Sequence, residues 1–275
     1  MHGLPDGVAV LSPEPTATLE DVRRLAAGAF GETGAQLVLW RIPVGDWDAR
    51  RIAWELGFTI RAHHVQQATP EQAWLATLGA GDPPEPGARW LEPVVLEEGS
   101  IRLRPWVESD AHRLVEIAED PVFRRSLPSS PLPRSFAEVP GYIERVRLGE
   151  ATGSRVAWCV ADRETDLAIG NVALFDFDTD EPDGTAQVGY WSHPQGRGRG
   201  LMAAALGLVC RWSMSGQDCG GLGLRRIFLL TGVHNTSSQR LAERAGFVRV
   251  GTERAAAPTA DGGWEDNALY DLLRD

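Results

Sequence analysis

The sequence predicts an α+β protein of three layers. A mixed, mostly antiparallel central sheet is flanked by helices and preceded by a smaller α/β unit. Three observations carry this. After residue 98 the runs follow one order: strand, two helices, three strands, helix, strand, helix, two strands. Before that, residues 79–88 (G-A-G-D-P-P-E-P-G-A) form a Pro- and Gly-rich linker, which separates an N-terminal unit, 1–95, from a second unit, 98–275. Third, a glycine-arginine turn within 193–200 joins a strand-like run to an apolar helical run.

The elements follow from local pattern. Pro13 and Pro15 break the start, and Thr18 caps a helix through Asp21, Leu25 and Ala26. Residues 36–42 (Q-L-V-L-W-R-I) make a buried strand by β-branched and aromatic content. A helix over 48–56 stops at Gly57, a short strand covers 58–63, and 71–78 is expected to be helical. In the second unit, I-R-L-R-P-W from Ile101 is a strand, and Ser109 and Asp110 are placed to cap a helix over 111–119 that Pro121 ends. Residues 127–134 are a loop and 136–148 a second helix. Strands over 155–162, 169–177 and 185–191 are separated by turn residues at Asp166 and 178–184. A helix over 201–212, a strand over 226–233, a helix over 236–245 and a strand over 247–253 follow; 255–263 is an open loop and 264–273 the closing strand.

The turn reads H-P-Q-G-R-G-R-G, with Gly196, Gly198 and Gly200 alternating. Glycine adopts torsions closed to other residues and lets a ligand approach the main chain. The first amides of the next helix lack helical partners, and with the helix dipole they form an anion site. Arg197 and Arg199 are expected to add positive charge there. A phosphate or pyrophosphate is the natural guest. Neither G-K-S nor G-K-T occurs, so this is not the lysine-bearing P-loop, and the third glycine is misplaced for a dinucleotide turn.

Strand, H-P-x-x-R-G-R-G and an Ala/Leu helix resemble the pyrophosphate-binding segment of the GNAT superfamily of acyl-CoA-dependent N-acyltransferases. The runs W-x-V-A-D-R, V-G-Y-W-S-H-P and N-T-S-S-Q-R-L-A-E-R-A-G-F stand in the family's order. They look most like the branch that acetylates N-terminal amines of ribosomal proteins. Two registers of the phosphate motif fit. Gln195, Gly198 and Gly200 satisfy it fully; Arg197 and Gly200 satisfy it with Met202 at the small position. The second is preferred, since the His-Pro pair and the helix start then align, and Met202 is expected to crowd the turn.

The resemblance implies acetyl-CoA as cofactor, attack on the thioester by a primary amine of a protein N-terminus or an amino-bearing small molecule, and a tetrahedral intermediate. Main-chain amides of Arg197, Gly198, Arg199, Gly200, Leu201, Met202 and Ala203 would grip the pyrophosphate. Tyr190, Trp191 and Ser192 would lie on a strand edge exposed to pantetheine, although Trp191 also reads as an ordinary core or cleft aromatic. Asn235 would contact the pantetheine arm and Ser238 would serve the leaving sulfur, while N-x-x-S also reads as plain helix capping. The tyrosine that many relatives use for the sulfur is Ala242 here. The base is not assigned: the two positions where relatives carry Glu are Leu230 and Gln187, and Asp176, Asp178, Glu265, Asp266 and His193 remain as candidates. The alternative reading is an acyl-CoA-binding sensor or partner module without turnover.

Bulk properties narrow the class. All basic charge is arginine and the formal charge is -11, which argues against a nucleic-acid binder and suits a cationic amine. Cys159, Cys210 and Cys219 form no zinc spacing, and His63 and His64 are adjacent, so no metal is expected. The start of the chain shows no signal peptide and no run is long enough to span a membrane, so a cytoplasmic protein is expected. Residues 44–58 parallel 233–247: Val44, Arg51, Ala53, Gly57 and Phe58 match Val233, Arg240, Ala242, Gly246 and Phe247 at one offset. The N-terminal unit therefore reads as a partial repeat of the same fold. It lacks the glycine-arginine turn, so no CoA is expected there, and its expected role is packing or walling the acceptor cleft.

Overall fold

A computed structural model describes residues 6–61, 73–128, 130–178 and 184–274. Residues 179–183 of the predicted turn over 178–184, the last two residues of the expected strand at 58–63, the His63–His64 pair and the first two residues of the expected helix at 71–78 lie outside them. The chain divides into two compact units, Met1–Trp90 and Leu91–Asp275.

The first unit runs β1 (Val8–Leu11), α1 (Leu19–Glu32), β2 (Leu37–Pro43), α2 (Trp47–Glu55), β3 (Thr59–Arg61) and β4 (Ala73–Gly79). Its sheet has the order β1-β2-β4-β3. β1 and β2 are parallel and the other pairs antiparallel. The helix expected over 71–78 is thus corrected: its described part is a strand. A-W-L-A-T-L has helix-forming composition, but Trp74, Ala76 and Leu78 are buried while their neighbours are not. Period two prevails over propensity. At the other end Thr18 and Asp21 form a reciprocal capping box on α1.

The second unit contains β5 (Leu96–Glu98), β6 (Ile101–Arg104), α3 (Ala111–Glu119), α4 (Pro121–Ser126), α5 (Val139–Ala151), β7 (Arg155–Asp162), β8 (Ala168–Asp178), β9 (Thr185–Ser192), α6 (Leu201–Met214), β10 (Arg226–Gly232), α7 (Thr236–Arg244), β11 (Val248–Pro258) and β12 (Trp264–Leu273). The sheet order is β11-β12-β10-β9-β8-β7-β6-β5, and only β9 and β10 run parallel. β7 is buried on both faces. Val156, Trp158 and Val160 enter the core beneath α6, and Ala157, Cys159 and Ala161 enter the core beneath α3 and α5.

Three expectations change here. Pro121 starts α4 instead of only ending α3; proline is suited to a first helical position, and Asp120 caps it by accepting the Phe123 amide at 2.8 Å. Asp110 makes no side-chain cap on α3. Its carboxylate takes the Arg104 guanidinium at 2.8 and 2.9 Å instead. Residues 255–258 are strand, paired across a bulge to β12, and only the remainder of 255–263 is a connection.

The repeat read in the sequence has a structural counterpart. The first unit and the β9–β12 half of the second share the order β-α-β-α-β-β, with the fourth strand between the second and third. Equivalent hydrogen bonds recur. Asp46 caps α2 by accepting from the Ala49 amide at 3.0 Å, and Asn235 caps α7 by accepting from the Ser238 amide at 3.2 Å. Phe58 donates its amide to the Ala53 carbonyl at 2.9 Å, and Phe247 donates to Ala242 at 3.1 Å. Gly57 and Gly246 end the two helices at φ +81° and +91°.

Candidate active site

β9 and β10 pair over only three positions, Thr185 with Arg226, Ala186 with Ile227 and Gln187 with Phe228. Beyond them β9 pairs only with β8, through Ser192, and β10 only with β12, through Gly232. The strands splay, which leaves one edge of residues 188–192 without a strand partner. Tyr190, Trp191 and Ser192 lie on that edge.

The chain leaves β9 through a buried corner. His193 is 4% exposed. Its Nδ1 accepts the Gln195 amide at 3.3 Å, so the ring proton sits on Nε2 and bonds Glu116 at 3.0 Å. Burial holds its pKa below the usual histidine value. Of the two roles His193 offered, base or corner, the geometry favours the corner.

Each glycine of the turn serves a different need. A Cβ on Gly196 would meet the Ile169 carbonyl at 2.7 Å, so this glycine allows close packing on β8. Gly198 and Gly200 have φ of +73° and +77°, and nothing lies within 4 Å of an added Cβ on either. They open onto free space. Gly200 is the N-cap of α6; no side chain caps this helix and no acid stands in its first turn. The first helical bond runs from the Ala204 amide to the Gly200 carbonyl, so the amides of Leu201, Met202 and Ala203 have no helical acceptors. The equivalent helix of the first unit, α1, is closed to anions by its capping box and by Glu20 and Asp21.

Two expectations about the turn are corrected. Met202 does not crowd it: the side chain is buried and its sulfur fills the space that Gly170 leaves on β8. Arg197 adds no free charge. Its guanidinium donates to the Asp120 carboxylate at 2.6 and 3.3 Å and to the Ser192 carbonyl at 3.1 Å. That bond holds the Asp120 carboxyl below the usual carboxylate range and ties the turn to the α3–α4 corner. Arg199 is exposed and meets Asp162 at 3.2 Å. Leu201 and Ala203 are half-buried in the first turn of α6.

Across the splay stands the start of α7. Asn235 accepts from the Ser238 amide and the Ser237 hydroxyl through Oδ1, so its oxygen is committed to capping. The Ser238 hydroxyl lies 3.0 Å from the Tyr190 phenol oxygen, which also reaches the Ser238 carbonyl at 3.1 Å. Burial pushes the Tyr190 phenol up to about 12, so it stays a donor at neutral pH. Sequence reasoning used only the backbone of Tyr190; no spacing rule pairs it with Ser238. Trp191 stacks on Trp106 at 5.6 Å and meets Phe123 edge-on at 6.0 Å. Of the candidate acids, Asp176 and Asp178 are exposed, Asp266 accepts the Ala255 amide, and Glu265 pairs with His234 at 2.7 Å beside Gly232. Among the described residues no cluster of three metal-ligating side chains occurs, and no helix is long and apolar enough to cross a membrane.

A short parallel pairing that splays beside an uncapped, glycine-opened helix start is the arrangement of an acetyltransferase fold. Residues 100–248 match the family model described as the acetyltransferase (GNAT) domain, and the chain belongs to that family. Solved structures share the fold. Mycobacterium smegmatis RimJ in complex with CoA-disulfide is 20% identical over 64% of this chain and 82% of its own, with TM-score 0.55. The microcin C7 self-immunity acetyltransferase MccE, in complex with acetyl-CoA and AMP, is 20% identical over 64% of this chain and 94% of its own, with TM-score 0.55. RimL, a ribosomal L7/L12 alpha-N-protein acetyltransferase in complex with CoA, is 22% identical over 66% and 99%, with TM-score 0.53. No curated protein sequence matches the chain.

Proposed function

We propose that this protein transfers an acetyl group from acetyl-CoA to a primary amine, by direct attack of the amine on the thioester. The observation that carries the reading is the open start of α6 beside the splay of β9 and β10. A pyrophosphate fits the amides from Gly198 to Ala203, because two glycines in left-handed torsions clear the approach. The free edge of residues 188–192 fits the amide-bearing pantetheine arm, and its main-chain N–H groups are suited to a developing oxyanion. Acetyl-CoA, when bound, supplies the activated acyl group.

The rest is this chain's own work. Arg197 and Asp120 hold the turn, and His193 fixes its corner. Asn235 keeps its amide nitrogen for the pantetheine arm while its oxygen caps α7. The Tyr190 phenol has one proton and two acceptors, the Ser238 carbonyl and hydroxyl. When the phenol donates its hydrogen bond to the hydroxyl oxygen, the Ser238 hydrogen is free to turn into the splay and pass to the departing thiolate, and the proton shed by the attacking amine, carried through water, restores the serine. The neighbours named for ribosomal-protein acetylation and, in a chimera, spermidine acetylation support an amine acceptor. The first unit we read as a degenerate copy of the fold's second half, with its anion end closed by Thr18, Glu20 and Asp21. Cys159, Cys210 and Cys219 are free thiols, which fits a reducing cytoplasm.

The test is thiol release from acetyl-CoA over a panel of amines, beside stabilisation by CoA. Turnover should fall in Ser238→Ala with CoA affinity kept. Stabilisation by CoA without turnover on any amine would point to the sensor reading.

A further inference from the structure

A cavity of about 240 Å³ lies between the α3–α4 corner, the loop after α4 and the β11–β12 connection. Its walls are Ala118, Phe123, Leu127 and Leu132, with Ala260 from the β11–β12 connection. Phe123 links it to the site, since the same ring meets Trp191 edge-on at 6.0 Å at the splayed end of β9. Pro128 and Ser130 join the lining, and so do two arginines, Arg124 of α4 and Arg134 of the following loop, both exposed. No carboxylate lines the cavity among the described residues. In a chain of formal charge -11 this is a local reversal of sign. Glu138 stands beside Arg134 without lining the cavity: it accepts from the Arg134 amide and the Ser135 hydroxyl, each at 3.0 Å, and those bonds first, with the Arg134 and Arg145 charges after them, hold its carboxyl below the usual range. A mixed lining, with buried Phe123 and Leu132 at its base and Ser130 and two guanidinium groups around it, matches a small guest with an apolar body and a terminal anion. Guanidinium groups recognise carboxylate and phosphate through paired, charge-assisted hydrogen bonds.

We propose that the acceptor is an amine that also carries an anionic group, a carboxylate or a phosphate, and that Arg124 and Arg134 hold that anion while the amine points to the splay. This rests on the acetyltransferase reading above and reverses the expectation, drawn from net charge, of a simple cationic amine. The local charge of a site outweighs the net charge of the chain, because salt screens distant surface charges within about 10 Å.

The test uses the full chain and matched acceptors: phenylalanine against phenylalaninamide, O-phosphoethanolamine against ethanolamine, and spermidine. The anionic member of at least one pair should exceed its neutral partner in kcat/KM by about tenfold. The pair that shows it distinguishes carboxylate from phosphate. Arg124→Gln and Arg134→Gln should each remove most of that preference, with the KM for acetyl-CoA unchanged. Equal use of the two members of both pairs, a preference for spermidine, or arginine variants that keep the preference would overturn the proposal. A second readout does not need turnover: stabilisation of the CoA-loaded protein by phenylalanine and by O-phosphoethanolamine. If no amine is acetylated but either probe stabilises wild type and not the double variant, the acetyltransferase reading fails and the anion site stands. If neither probe stabilises wild type more than the double variant, and no amine is acetylated, the anion site fails as well.

Discussion

Gly200→Asp tests the anion site by charge with little change of shape. Gly200 has φ +77° and nothing within 4 Å of an added Cβ, so the cost to folding is torsional only. A left-handed torsion costs an ordinary residue about 1–2 kcal/mol, and aspartate is among the side chains that tolerate it best. An acid at a helix N-cap returns part of that cost. The variant should therefore melt within a few degrees of wild type. Its carboxylate would stand next to the open amides of Leu201, Met202 and Ala203. A unit charge about 5 Å from a doubly charged pyrophosphate, at an effective dielectric of about 60, opposes binding by roughly 2 kcal/mol, or about thirtyfold in Kd. Titration calorimetry with CoA reads this directly, and the penalty should shrink as salt rises. Gly200→Ala is the control, with the same torsion and the bulk of a Cβ but no charge; it should lose less CoA affinity than Gly200→Asp, and its loss should not shrink as salt rises. A folded Gly200→Asp protein with wild-type CoA affinity would refute the placement of the pyrophosphate.

Tyr190→Phe keeps the ring and removes the phenol that bonds Ser238; kcat should fall about tenfold with the KM for acetyl-CoA unchanged, and an unchanged kcat would leave Ser238 without its orienting partner. Acidification should weaken the turn. Burial lowers the folded-state pKa of His193, so the unfolded chain binds its proton first; stability is complete above about pH 6.5 and is lost as pH falls through the folded value. Thermal melts from pH 7.5 to 5 should show a steeper loss in wild type than in His193→Asn, and parallel profiles would remove His193 from the account. Gly57 and Gly246 share a torsion but not a setting. An added Cβ meets the Pro83 carbonyl at 2.4 Å at Gly57, whereas at Gly246 only the tip of Leu272 lies near, at 3.6 Å. Gly246→Ala should cost about 1 kcal/mol and Gly57→Ala clearly more by chemical denaturation; equal costs would contradict the packing described for the first unit.

The parts of this protein that read well from sequence are those set by local chemistry. Three alternating glycines alone also read as a solvated loop; the turn could be found because they stand between a strand and an apolar helix with three other family-like runs in order around them, and the caps at Thr18 and Asn235 stand where short polar side chains precede apolar periodicity. Local reading failed where two local rules competed. In A-W-L-A-T-L, helix-forming residues hid a period of two, and at Pro121 the residue that stops one helix is also the best starter for the next. It also failed where a partner lies far along the chain. Met202 turns inward because Gly170 leaves room for it, Arg197 is neutralised by Asp120 across the fold, and the Tyr190 phenol finds Ser238 only because β9 and α7 flank one opening. None of these pairs has a spacing that could announce it.

Amide hydrogen exchange with and without CoA addresses the central claim most directly, since the grip is assigned to the main chain and not to side chains. CoA should slow exchange at residues 198–203 and 188–192, while the capped start of α1 stays unchanged as an internal control. Tight CoA binding that leaves those two segments exchanging as before would contradict the account.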